Sequence, residues 1–279
     1  MTKTRILTAI VALIWATAAS AQEETIRPVT SSYMLEAGAS HLADTYLTPL
    51  HYRGWHTALR YERRQAMRFN PEHWIMHLKL GIGIDDTQNP AKNADMYYGA
   101  IDASWAMMYT WRLPIGVNIG VGPGTSINAG ALYLSRNGNN PASAKAAWTI
   151  DAAAFASYST KIWKIPVTLR YQPTMPLTGA FFSPDYGQLY YQIYLGDHKG
   201  LAHAAWPGNY FMLDNMLTAD LHFGNTSLRI GYHNSIFSSK VNDIVTQAIT
   251  HSFVIGITTE WISLRPDSKA INAKIISSY

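Results

Sequence analysis

"HWIMHLKLGI", residues 73–82, decides how this chain folds. Trp74, Met76, Leu78, Leu80 and Ile82 fall on one face of an extended strand, and His73, His77, Lys79 and Gly81 fall on the other. That is the two-residue period of a strand, in which successive side chains point to opposite faces. The same pattern spreads outward in both directions. Trp55, Thr57, Leu59 and Tyr61 oppose His56, Ala58, Arg60 and Glu62. Tyr97, Ile101, Ala103, Trp105, Met107 and Tyr109 oppose Tyr98, Asp102 and Ser104. Shorter versions occur over 117–122, 148–158, 167–172, 189–195, 217–222, 228–235 and 252–261, which makes ten strands. One face is apolar with aromatic ends, and the other carries charge, amide, hydroxyl and glycine.

Composition narrows the setting. Charged residues make up 14 % of the 279-residue chain, against about 25 % in soluble domains. Aromatics reach 12 %, with nine Trp and seventeen Tyr. There is no cysteine, which excludes disulfides, thiolate metal sites and a cysteine nucleophile. The formal net charge of +4 is mild, and no nucleic-acid partner is expected. The N-terminus is built like an export signal: Lys3 and Arg5, an apolar stretch from Ile6 to Trp15, then Ala19-Ser20-Ala21 as a cleavage site. Residues 1–21 are therefore expected to be a signal peptide, with a single domain over 22–279.

Two foldings accommodate amphipathic strands. In a secreted soluble β-protein the apolar faces meet each other; in a membrane barrel they meet lipid. Connection lengths favour the barrel. Short turns fall at Arg68–Pro71, Arg112–Pro114, Lys161–Lys164 and Gly224–Asn225, and long ones at 42–53, 85–95, 134–146, 196–209 and 238–248. The expected fold is an all-β, transmembrane antiparallel β-barrel of ten to twelve strands in the bacterial outer membrane. It would be a monomer in contact with outer-membrane lipid and lipopolysaccharide. The stretch 173–187, with its prolines and glycines, is the one that leaves the count open, as a hairpin or a segment folded into the lumen.

The polar face predicts a lumen lined by Glu36, His56, Arg60, Glu62, Lys79, Asp102, Asp151, Arg170, Asp220, Arg229 and Glu260. Both signs occur in similar numbers, whereas a selective pore usually concentrates one sign. Mixed charges in a narrow barrel pair and close it, giving a structural, binding or narrow-channel role. No metal or cofactor is expected. His73 and His77 would sit about 13 Å apart on a strand, too far for one ion. Asp85–Asp95 lacks the glycine and terminal glutamate of a calcium loop. Gly116–Gly124 has no following helix to hold phosphate.

"HNS", His233 to Ser235, raises an enzymatic alternative. The two side chains share a strand face about 7 Å apart. This His-x-Ser arrangement resembles the catalytic pair of outer-membrane phospholipase A and of the lipid A deacylase barrel. The resemblance implies a lipid hydrolase with Ser235 as nucleophile, His233 as base and Gln247 near the third position. Those enzymes place the pair on the lipid-facing wall, whereas here it shares a face with Arg229, and Gln247 falls in an expected loop. The competing expectation is a lumen network in which His233, Ser235 and Arg229 meet carboxylates.

"LADTYLTPLHYRGW" (Leu42 to Trp55) and "PLTGAFFSPDYGQLYYQIY" (Pro176 to Tyr194) resemble two signatures of an uncharacterised Bacteroidota outer-membrane family, known as domain of unknown function 3316. The resemblance implies a membrane barrel and brings no activity, substrate or catalytic residue.

Overall fold

The computed structural model describes residues 25–261 and 275–277; the expected signal peptide lies outside the described residues. Eleven strands follow in order: β1 (Val29–Asp44), β2 (Thr48–Ala66), β3 (Trp74–Gln88), β4 (Asp95–Arg112), β5 (Val117–Leu134), β6 (Ala142–Ile162), β7 (Ile165–Phe182), β8 (Ala202–Ala205), β9 (Tyr210–Phe223), β10 (Thr226–Val241) and β11 (Ile244–Trp261). A short helix, α1 (Tyr190–Tyr194), precedes β8. Each long strand pairs antiparallel with its neighbours, and β1 pairs with β11 from Val29–Trp261 to Asp44–Thr246. With β6 bound to β7 and β7 to β9, the ring closes on ten strands. The short β8 extends the β9 side of β7 beyond that ring. Closure gives every barrel strand a partner on both edges, as a sheet in hydrocarbon requires.

The expected count of ten holds for the ring, through two differences that cancel. The sequence expectation omits β1 and counts 189–195 as a strand. Strand β1 is rich in serine and alanine, so its outward row of Tyr33, Leu35, Ala37, Ala39 and His41 gives a faint alternation. Over 189–195 the chain instead forms α1, with Gly187 and Gly196 at positive φ on either side. Nor does 173–187 make a separate hairpin: β7 runs through its prolines to Phe182.

The expected short turns are present at 67–73, 113–116, 163–164 and 224–225. Of the expected long loops only 183–209 is long; the others shrink to 45–47, 89–94, 135–141 and 242–243. Strands of 14–21 residues exceed the ~9–11 needed to cross hydrocarbon. Beyond that depth the outward face no longer has to be apolar. It carries His41, His51, Arg53, Asp86 and Gln88, and the alternation that marks a membrane strand fades.

Polarity inverts along the barrel. Through its middle the exterior is greasy: Leu59, Ile82, Ile101, Ile127 and Phe253 are each more than half exposed. At the outer end the interior is greasy instead. Leu42, Tyr52, Met96, Leu132, Leu134 and Ala248 form one buried cluster, joined by Leu47 and Ala94 from the connections. A second apolar cluster, Ile75, Ala106, Met108, Ala153 and Phe155, lies inside toward the other end. The polar interior lies between them.

Closure also needs an interior residue without a side chain. A Cβ on Gly38 of β1 would come within 1.9 Å of the His251 carbonyl oxygen on β11. Gly38→Ala forces these two strands apart and should destabilise the barrel by about 1–3 kcal/mol. The check is a lower fraction of protein showing heat-modifiable migration after refolding into detergent.

Candidate functional site

The inward positions of β1, β2, β3, β4, β9 and β10 converge on a continuous charge network. Glu36 sits at its centre, fully buried. Arg60 Nε forms an ion pair with Glu36 Oε1 at 2.8 Å, and His233 Nδ1 lies 3.0 Å from Glu36 Oε2. Arg60 also reaches Asp102 at 3.3 Å. His233 Nε2 lies 2.8 Å from Asp214 Oδ2, and Lys79 Nζ donates to Asp214 Oδ1 at 3.1 Å. His56 joins from the other side, 3.0 Å from Asp85 and 3.8 Å from Glu36.

A second group lies beside it. Arg229 forks onto both oxygens of Asp220, at 2.6 and 2.8 Å, and its third nitrogen donates to Glu62 at 2.8 Å. Glu62 also faces His77 at 3.7 Å and the Gln172 amide at 3.5 Å. The fork geometry fits carboxylate bidentately and fixes the guanidinium plane. Arg170 lies over the Phe155 ring, 4.5 Å from its centroid. Asp151 is held by Ser126 and by Thr149. Glu260, at the inner rim, accepts a hydrogen bond from Ser277 at 2.6 Å.

Three of these contacts span the full width of the barrel. In a ring of ten, strands five places apart are opposite, and Lys79 on β3 and Asp214 on β9 are such a pair. So are Gln172 on β7 and Glu62 on β2. Nearer the outer end, Lys145 on β6 forms an ion pair with Asp44 on β1 at 2.7 Å, also straight across. Ser143 and Thr246 complete the Asp44 carboxylate. Segment 183–209 is pinned above this level. The Tyr46 hydroxyl donates to the Gln188 carbonyl at 2.6 Å, and the Ala144 N–H donates to the Tyr190 oxygen at 2.6 Å. Burial pushes the Tyr190 hydroxyl up to about 12.

Between the network and the outer apolar cluster lies a cavity of ≈ 110 Å³. Arg60, His56, Asp85 and Asp102 border it on the network side; Tyr98, Phe181, Tyr210, Met212 and Phe237 give it aromatic and apolar walls. Ser235 opens onto this cavity.

All eleven residues expected in the lumen lie on inward positions. Four charged interior residues do not belong to that set: Asp44 and Lys145, which pair with each other, Asp85, which meets His56, and Asp214, which meets Lys79. The first three fall in stretches read as loops, and Asp214 precedes the stretch read as a strand. The signal was available for Asp85, since Ile82, Ile84 and Asp86 continue one face past the point where the strand was expected to stop.

The expected catalytic pair is not assembled. His233 and Ser235 both point inward, away from lipid, and each ring nitrogen of His233 is taken by a carboxylate. No hydrogen bond joins His233 to Ser235 among the described residues. Gln247 is not in a loop: it lies on β11, paired with Ala43 and Ser238, on the opposite face from Thr246 and Ala248. An acyl-transfer pair needs the base free to accept the serine proton, and here that nitrogen is occupied.

The model of a family described as a protein of unknown function (DUF3316) matches residues 5–268. No curated protein matches the chain in sequence. Among solved structures, the outer membrane protease OmpT from Escherichia coli aligns at 6 % identity with a TM-score of 0.45, over 87 % of this chain and 99 % of that one. The β domain of the Bordetella autotransporter BrkA aligns at 7 % identity with a TM-score of 0.43, over 84 % and 99 %. The COG4313 outer membrane channel from Pseudomonas putida F1 aligns at 9 % identity with a TM-score of 0.34, over 86 % and 97 %.

Two outcomes follow from the network. Arg229→Met leaves Asp220 and Glu62 buried without their shared cation and should cost about 3–5 kcal/mol; urea unfolding in lipid vesicles reads this, and adding Asp220→Asn should restore part of it. Ser235→Ala should leave fatty-acid release from outer-membrane lipid unchanged from wild type, measured by thin-layer or mass-spectrometric assay.

Proposed function

We propose that this chain, which belongs to the DUF3316 family of proteins of unknown function, is an exported monomeric barrel of the bacterial outer membrane. Its lumen is closed to diffusion, and its role is structural or ligand-binding rather than that of an open pore. Residues 1–21 would direct export. The outward apolar rows of the ten strands support the membrane setting, because nothing among the described residues covers them. The single observation that carries closure is the Lys79–Asp214 contact across the whole barrel.

The physical argument is one of desolvation. A channel leaves its charges hydrated and biased toward one sign. Here each carboxylate of the central network faces a cation or an imidazole. Separating them to admit water and solute would break several short contacts at once. The Lys145–Asp44 bridge and the outer apolar cluster add two further barriers above it.

Planar-bilayer recording of the refolded full chain tests this. Wild type should give no stepwise ohmic conductance, and the combined variant Lys79→Ala, Lys145→Ala should give measurable steps in a barrel that still shows heat-modifiable migration. Steady wild-type conductance of porin size would reject the closed lumen.

A further inference from the structure

Among the described residues the ladders of the barrel wall are broken most widely between β7 and β9. The β7–β9 ladder ends at Thr174–Asp214, and pairing along that edge of β7 resumes only at Gly179–Ala205, with β8. Residues 175–178 on one side face 206–213 on the other, an excess of four residues that no register absorbs. Pro176 carries no N–H and could not contribute to a ladder there. The gap is built rather than frayed. Tyr210 N–H donates to the Trp206 carbonyl at 2.9 Å, the Asn209 side chain donates to the Ala204 carbonyl at 2.9 Å, and Lys240 N–H donates to the Asn209 carbonyl at 2.8 Å. The opposite edges stay paired, β7 to β6 and β9 to β10.

Unpaired strand edges are not left facing hydrocarbon; such backbone is tolerated where it lines a cavity. That condition is met. Met212 borders the ≈ 110 Å³ cavity, and Pro176 and Met212 together border an adjoining void of ≈ 40 Å³. Outside, Leu177 and Trp206 stand exposed at the seam, 47 % and 60 %. From above, the cavity is roofed by the outer apolar cluster and the Lys145–Asp44 bridge, so the accessible approach is from the side.

We propose that the cavity takes the acyl chain of a membrane amphiphile, which enters sideways through the seam between β7 and β9. The proposal rests on the barrel lying in a membrane. The chemistry of the lining selects the ligand. Phe181, Tyr210, Met212 and Phe237 offer an apolar wall on the seam side, and Arg60 with Asp102 offers a polar boundary on the far side. An apolar cavity of about 150 Å³ accepts benzene, so this one of ≈ 110 Å³ accommodates the end of an acyl chain, on the order of four carbons. The apolar wall on the seam side favours hydrocarbon there, and a bulky folded ligand finds no entrance.

The test uses the full chain in phospholipid vesicles containing dodecanoic acid with a terminal photoactivatable diazirine. Adducts are mapped by mass spectrometry. The expected result is labelling of inward Phe181 and Tyr210. Labelling at these two positions should fall at least tenfold in Ala147→Trp, which fills the cavity, and in Met212→Trp, which blocks the seam, with both variants still showing heat-modifiable migration. Adducts confined to outward residues such as Leu169 and Leu217 would overturn the proposal while leaving the membrane barrel intact. Inward labelling unaffected by Met212→Trp would overturn the sideways route. Absence of adducts at outward and inward positions alike would remove the membrane setting and the proposal with it.

Discussion

The ladder between β1 and β11 is the contact on which everything else depends. It joins strands from opposite ends of the chain along the whole length of β1, from Val29 to Asp44. Until it forms, two edges expose backbone N–H and C=O groups that hydrocarbon cannot satisfy. Once it forms, the molecule has an inside and an outside, and each residue's side is fixed by its parity along the strand. The absence of a side chain at Gly38 is part of this closure, because the His251 carbonyl occupies the space a Cβ would take.

Closure also explains the inversion of polarity. In the middle, lipid surrounds the barrel, so the outer rows are apolar and the charges turn inward. At the outer end the exterior carries polar residues, and Leu42, Tyr52, Met96 and Leu132 turn inward as they would in a soluble core. The charge network lies between two apolar clusters. In such a place an unpaired charge is costly, and pairing across the full width becomes the stable solution. The interruption between β7 and β9 stands out as the widest break in the ladders among the described residues.

His233 and Ser235 show how little a local motif says about chemistry in a barrel. Their spacing along β10 matches that of a base and a nucleophile. What the imidazole does is set by Glu36 on β1 and Asp214 on β9, far away in sequence. Both nitrogens are committed to carboxylates, and the serine faces a cavity instead.

The sequence by itself determined the fold class, because a period of two is a local property that survives without any knowledge of neighbours. It also determined which side chains share a face with Arg60, Lys79 and Arg229, for the same reason. It could not set strand ends or the identity of two strands. β1 has too little contrast between faces, and "LYYQIYL" (189–195) carries apolar spacing compatible with strand or helix; in the structure it is a helix between Gly187 and Gly196, both at positive φ. Only the tertiary structure decided the partners. Lys79 meets Asp214, and Asp44 meets Lys145, because ring closure at ten strands puts β3 opposite β9 and β1 opposite β6. That is a consequence of circumference, which no single strand contains.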